Sequence, residues 1–348
     1  MNTLTEQLGV SHPLIQAPMA GVQGSALALA ASNAGVLGSL PCAMLAPDAL
    51  RGELEKMQAG GVPYNVNFFC HSSPTPEATR DIAWRQALAP YYVEHGLDMA
   101  AIPTGPGRLP FSAESAALLA EFKPKVVSFH FGLPAPDLLA RVKAWGAFVL
   151  SSATTVKEAI WLEANGADAV IAQGLEAGGH RGHFLSMDLT QQMGTFTLLP
   201  QIVAAVRVPV IAAGGIADAA GVRAAMALGA AGVQVGTAYL CANEATTSVA
   251  HRAALQSEAA RHTALTNLFT GRPARGIVNR VMRELGSISA AAPEFPLATN
   301  AISLLRAAAE KKGSTDFSPL WSGQNASQCR SASAAAITLG LVEGFTSN

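Results

Sequence analysis

Charge is scarce in this sequence: 14% of its 348 residues are acidic or basic, and the formal net charge is −1. The 23 basic residues are scattered along the chain. Without a Lys/Arg cluster there is nothing to track a phosphate backbone or an anionic bilayer, so neither nucleic acid nor a membrane surface is an expected partner. Long apolar runs are missing too. The stretch around 198–213 is broken by Pro200, Gln201, Arg207 and Pro209, well short of the roughly 20 apolar residues a spanning helix needs. Basic residues are absent before Arg51, which leaves no charged region for a secretory signal. Cysteine is rare. Cys42, Cys70, Cys241 and Cys329 stand far apart with no C-x-x-C pair, the usage of unpaired thiols in a reducing cytoplasm.

What the sequence does have is apolar substance. Half of its residues are hydrophobic and the mean hydropathy is +0.27, a composition that builds cores and is remote from disorder. Eight short runs bounded by Gly, Pro or polar residues recur: 14–18, 36–40, 64–69, 126–131, 147–151, 169–173, 209–213 and 232–236. They suit strands buried on both faces. Ala/Leu-rich stretches such as Thr154–Asn165 and Asp218–Leu228 lie between them, with Thr154 or Thr155 as an N-cap and Gly166 past the end. Strand alternating with helix eight times predicts a (β/α)₈ TIM barrel. Periodicity does not prove closure, and a doubly wound sheet is the alternative. The expected boundaries are a barrel over 1–237, a mostly helical cap without clear strands over 238–313, and a return to the barrel over 314–348.

Barrel chemistry gathers at the C-terminal ends of strands. Asn65 and Asn67 share a parity on the third run, Ser128 and His130 on the fourth, and the sixth ends at Gln173. The seventh ends in Gly214-Gly215 and the eighth in Gly236-Thr237, where small residues let main-chain N–H groups approach a phosphate. The loop GLEAGGHRGHF (174–184) offers two histidines on a glycine-rich backbone, suited to a general base near neutral pH. A metal site from His130, His180 and His183 lacks a clearly placed fourth ligand other than nearby Glu176, so no metal is expected. Each of these residues taken alone also reads as an ordinary structural polar group, and Arg181 as a solvated loop arginine.

QAPMAG (16–21), NVNFF (65–69), VSFHFG (127–132), AQGLEAGGHRG (172–182), VPVIAAGGI (208–216), GVQVGT (232–237), GRPARGIVNR (271–280) and WSGQ (321–324) together resemble the nitronate monooxygenase family, over nearly the whole chain. The resemblance implies FMN held by Met19, Asn67, Gln173, Gly178, Gly214, Gly215, Gln234, Val235, Gly236, Thr237 and Gln324. It further implies His180 as the catalytic base, His130 in the substrate pocket, and O₂ and a nitronate or nitroalkane as substrates. Protonated His180 and His130 would stabilise the anionic nitronate. The alternatives on the same barrel are an FMN-dependent NAD(P)H:quinone or enoyl-thioester reductase, and outside catalysis a flavin-binding module. Where some relatives place tyrosine and lysine, this chain reads PEFPLATNAISLLR (293–306), with no tyrosine after Tyr239.

Overall fold

The computed structural model describes residues 3–105 and 107–346. Its eight barrel strands are β1 (Leu14–Gln16), β2 (Gly38–Pro41), β3 (Tyr64–Phe69), β4 (Val126–His130), β5 (Phe148–Ala153), β6 (Ala169–Gln173), β8 (Val210–Ala213) and β9 (Gly232–Val235), with β7 (Gly179–His180) outside the barrel. All barrel pairings are parallel, in the order β1-β9-β8-β6-β5-β4-β3-β2. A parallel bridge between Ile15 and Leu37 joins the first and last members. Its bonds, Gln16 N–H to Leu37 O and Leu37 N–H to Leu14 O, are both 2.9 Å. The sheet is therefore closed and not doubly wound.

The expected helix punctuation is present. Thr155 caps helix Val156–Ala164 by accepting from Glu158 N–H, and Asp218 caps helix Ala219–Ala227 by accepting from Gly221 N–H. Val170, Ala172, Val210, Ala212 and Val233 face the helices, while Ile15, Leu150, Ile171 and Ile211 fill the barrel interior. That two-faced burial explains why these strands read as continuous apolar runs rather than alternating ones. After the cap the chain returns as helix Ala334–Val342, which packs between helices Ser25–Asn33 and Ala219–Ala227.

The chain after β9 carries strands that its sequence does not announce. It holds helices, but also β10 (Thr263–Thr266) and β11 (Ala274–Ile277), which with β7 form a three-stranded antiparallel sheet. These strands are four residues each, and GRPARGIV lacks the apolar alternation that marks a strand. The cap core also recruits helix Ala78–His95 from between β3 and β4. Trp84, Leu88 and Tyr92 pack with Leu268, Ile302, Leu305 and Phe317, and the Trp84 indole donates to Ala298 O at 3.2 Å.

Candidate active site

One pocket opens at the C-terminal ends of the barrel strands, beneath the cap. Met19, Asn67, His130, Gln173, Gly178, His180, Gly214, Gly215, Gln234, Gly236 and Thr237 all line it. Two expected residues do not. Val235 is buried in the strand, with its carbonyl accepting from Ala17 N–H. Gln324 turns its side chain to solvent while its main-chain N–H donates to Glu176 O at 2.9 Å. Its neighbours Gly323 and Asn325 face the pocket in its place.

Parity on the strands does what was expected of it. Asn67 donates from Nδ2 to Ser128 Oγ at 2.9 Å across β3 and β4, and both side chains face the pocket. Asn65 lies a turn of the pleat deeper, donating to Ser39 Oγ, and does not reach the pocket.

The residues fit a phosphorylated flavin. Gly214 and Gly215 follow β8 with φ of 114° and 75°, conformations open to glycine and strained for other residues. Among the described residues, no main-chain carbonyl takes the N–H of Gly214, Gly215 or Gly236. Three amides grouped at one rim of the pocket make an anion cradle. Gly178 sits so close to the C-terminal segment that a Cβ would lie 2.5 Å from Gly323 N. Gln234 Oε1 is buried without a protein partner, an acceptor left for a bound donor. Thr237 stitches this rim together: its Oγ1 accepts from Gly323 N–H at 2.9 Å, and its carbonyl accepts from the Cys329 thiol.

The histidine loop is anchored at both ends by buried charge. Arg181 is fully buried, not solvated as a loop arginine is expected to be. It donates to Gly174 O at 2.6 Å, Gln173 O at 2.8 Å and Gln192 Oε1 at 2.9 Å. Gly174 O also accepts from Ala177 N–H at 3.1 Å, but Gln173 O, the last carbonyl of β6, has Arg181 as its donor, so the cation replaces a ladder the strand cannot continue. Glu158, also buried, accepts from Phe184 N–H at 2.6 Å and from Thr154 N–H and Oγ1 at 2.7 Å. Gln173 bridges the loop, donating to His180 O at 2.9 Å and accepting from Gly182 N–H at 2.7 Å.

Between these anchors His180 forms half of β7, paired with Ala274. Its ring stands among Phe295, Trp321, Phe69 and Phe131, with centroids 5.4, 5.6, 6.1 and 6.1 Å away. Its Nε2 lies 2.9 Å from Thr270 Oγ1. Its Nδ1 has no protein partner among the described residues, and the ring lines the pocket. Burial, then the positive charge of Arg108, hold its pKa well below the usual 6.5, so the imidazole is neutral at pH 7.

His130 lines the pocket, but both its nitrogens are engaged. Nε2 donates to His180 O and Nδ1 accepts from Ser152 Oγ, each at 3.1 Å. Burial brings its pKa down to about 4. A neutral ring with no spare N–H has no means of holding an anion, which removes the charged role expected for it. His183 is buried with neither nitrogen bonded and is pushed by burial to about 3; it does not line the pocket. Among the described residues, no three His, Cys, Asp or Glu side chains are grouped to hold a metal ion.

Reading the sequence missed Thr270, Arg108, Ser152, His251 and the aromatic wall. Thr270 lies one residue before the quoted GRPARGIVNR. Gly271 there turns at φ 89° so tightly that a Cβ would meet Pro293 O, and that turn aims Thr270 at His180. Arg108 sits in TGPGRLP (104–110), which carries no pattern that marks it.

The nitronate monooxygenase family model matches residues 1–344. This chain belongs to the nitronate monooxygenase family. A nitronate monooxygenase of Paraburkholderia phytofirmans is 42% identical over 345 residues, covering 96% of this chain and 92% of that protein. One from Pseudomonas aeruginosa is 40% identical over 348 residues and covers 97% of each. Among solved structures, nitroalkane oxidase from Streptomyces ansochromogenes superposes with a TM-score of 0.88 at 37% identity, covering 97% of this chain and 96% of that one. FabK from Thermotoga maritima superposes with a TM-score of 0.73 at 26% identity. The chain is thus an FMN-dependent oxidoreductase that acts on nitronates. Among its described residues no helix is long and apolar enough to cross a membrane.

Proposed function

We propose that the pocket oxidises alkyl nitronates with O₂, and also accepts neutral nitroalkanes, with Nδ1 of His180 as the base that removes their α-proton. One observation carries this reading: the pocket-facing nitrogen of His180 is bare and neutral while its other nitrogen is tied to Thr270. Thr270 Oγ1 also lies 3.3 Å from Arg272 O. A hydroxyl has one hydrogen, and the carbonyl can only accept it. Thr270 Oγ1 therefore accepts from His180 Nε2–H, which leaves the Nδ1 lone pair free for a proton.

The glycine rim would hold the FMN phosphate, and Asn67, Gln173 and Gln234 would meet the flavin ring. FMN bound there would supply the electron transfer between nitronate and O₂ that yields a carbonyl compound and nitrite. The protein's own work is orientation and proton transfer. The aromatic wall keeps water from the base, and the nearby cations favour the neutral imidazole that a base requires. Because the same cations disfavour the imidazolium, the captured proton leaves readily after turnover. We place the protein in the cytoplasm on its four free thiols, without nucleic-acid partners.

The test is oxygen uptake and nitrite release with nitroethane and ethyl nitronate, with and without NAD(P)H. The expected result is nitrite from both substrates with no need of nicotinamide. Oxygen uptake that requires NAD(P)H and yields no nitrite would replace this reading with a reductase.

A further inference from the structure

Two cysteines that are far apart in sequence meet in the fold, outside the pocket. Cys241 closes the helical turn Thr237–Cys241 that follows β9, and Cys329 lies in the segment after Trp321. A parallel bridge between Ala242 and Ala332 joins their surroundings, with Asn243 N–H donating to Ala332 O at 2.9 Å. The Cys329 thiol donates to Thr237 O at 3.0 Å. Carbonyls in a helical turn point toward the residues three and four further on, so Thr237 O lies beneath Cys241. The two sulfurs stand within hydrogen-bonding reach, in one apolar cluster with Leu240, Leu255, Ile277 and Leu320. Arg252, whose guanidinium donates to Ala242 O and Ala245 O at 2.8 Å, sets a positive charge beside Cys241. A nearby cation favours the thiolate, the form that attacks a peroxide.

The segment that carries Cys329 also covers the cofactor rim. Gly323 N–H donates to Thr237 Oγ1 at 2.9 Å, Gln324 N–H to Glu176 O at 2.9 Å, and Asn325 Nδ2 to Gly215 O at 3.0 Å. Gly323 and Asn325 line the pocket. Gln324, Ser327 and Arg330 are exposed. A cover held at the surface by single hydrogen bonds opens locally, and lifting it uncovers both sulfurs.

We propose that Cys241 and Cys329 form a redox modification site, which hydrogen peroxide converts to a disulfide that fastens residues 321–329 over the FMN cradle. This rests on the reading that the FMN phosphate sits at the glycine rim. The Cys241 thiolate attacks a peroxide oxygen, the O–O bond breaks, and a sulfenic acid and one water form. The Cys329 sulfur then attacks the sulfenic sulfur, the S–S bond forms, and a second water leaves. Two thiols give up two electrons and two protons, and one peroxide is reduced to two waters. In a reducing compartment such a disulfide is transient, and thiol reductants reopen it.

The experiment treats FMN-loaded wild type, Cys241→Ser and Cys329→Ser with hydrogen peroxide and then with dithiothreitol. Alkylation with peptide mass spectrometry reads the thiols, and flavin fluorescence reads FMN release after dilution. Oxidised wild type is expected to lose two of its four thiols and to yield a linked peptide pair joining Cys241 to Cys329. Keeping one hydrogen-bonded contact closed is worth about a factor of 10, so FMN should leave the oxidised protein about 10-fold more slowly than the reduced one. Dithiothreitol should reverse both changes, and neither serine variant should show slow release. A disulfide through Cys42 or Cys70, four thiols surviving peroxide, or equal FMN release before and after oxidation would overturn the proposal. The comparison of oxidised with reduced wild type stands even where a serine variant fails to fold. Neither readout involves turnover, so the outcome is independent of the reaction assigned to the pocket.

Discussion

The Nε2 of His180 and the Oγ1 of Thr270 lie 2.9 Å apart, joining the loop after β6 to the cap. The bond fixes which imidazole nitrogen faces the pocket. Thr270→Val removes it and frees the ring to present the protonated nitrogen instead. One neutral hydrogen bond contributes about 1 kcal/mol, so kcat/KM for nitroethane should fall by roughly 5- to 10-fold with FMN retained. Thr270→Ser should recover most of that loss. A serine variant as slow as the valine would show that Thr270 acts by packing alone.

His180→Asn separates proton transfer from cofactor binding. Losing a general base costs about 10²–10⁴-fold, and this loss should fall on nitroethane, whose proton must be removed. Ethyl nitronate arrives deprotonated and should suffer far less. Steady-state rates on both substrates give the answer, and equal losses would refute the base.

The pH profile follows from the sign of the shift. His180 must be neutral to accept a proton, and its pKa is held below 6.5 by burial and then by Arg108. The acid limb of kcat/KM for nitroethane should therefore lie below pH 6.5. Arg108→Gln removes a repelling charge and should move that limb upward, toward 6.5. A wild-type limb at or above pH 6.5 would contradict the electrostatics of the pocket.

Stability should depend on pH in the same window. His183 and His251, 1% and 5% exposed, are pushed by burial to about 3 and about 4. Their folded pKa values are depressed, so the unfolded chain binds more protons below pH 6.5. Stability is complete above 6.5 and falls as pH drops toward 4, by up to about 1.4 kcal/mol per pH unit for each histidine. Urea unfolding at pH 7.5, 6.0 and 5.0 reads this before carboxylates titrate. A flat series would show that these rings are not buried as neutral groups.

Arg181→Met leaves the carbonyl of Gln173 and the side chain of Gln192 without their donor, and leaves Gly174 O only the Ala177 N–H. Each unpaired buried acceptor costs about 1–3 kcal/mol, so thermal unfolding should come several degrees earlier. The loop carrying Gly178 and His180 should loosen with it, weakening FMN retention during gel filtration. Arg181→Lys should restore little, since one ammonium does not span three acceptors in a plane. Wild-type stability and flavin content in Arg181→Met would contradict the anchoring role.

The barrel was legible because its strands are buried on both faces and its helices carry ordinary caps, as at Thr155 and Asp218. The glycine rim was legible because a chain reversal and a close approach both leave glycine as their signature. Closure was not, since it depends on Ile15 meeting Leu37 across the sheet, a contact no local pattern encodes. β7, β10 and β11 escaped notice because short strands dominated by Gly, Thr and Arg give no alternation. Arg108 and Thr270 escaped for a related reason. Their role comes from what stands opposite them in space, and Arg181 was misjudged because burial of a charge is decided by distant carbonyls.

The pairing of β7 with β11 puts His180, the proposed base, on a strand that the cap completes. A barrel expressed without its cap would thus lose the partner that keeps His180 extended, along with the threonine that orients it. Exchanging caps between relatives to alter substrate range would replace Thr270 and β11 together, and so would retune proton abstraction in the same stroke. Selection on what this pocket admits and selection on how fast it takes a proton therefore act on one inherited unit.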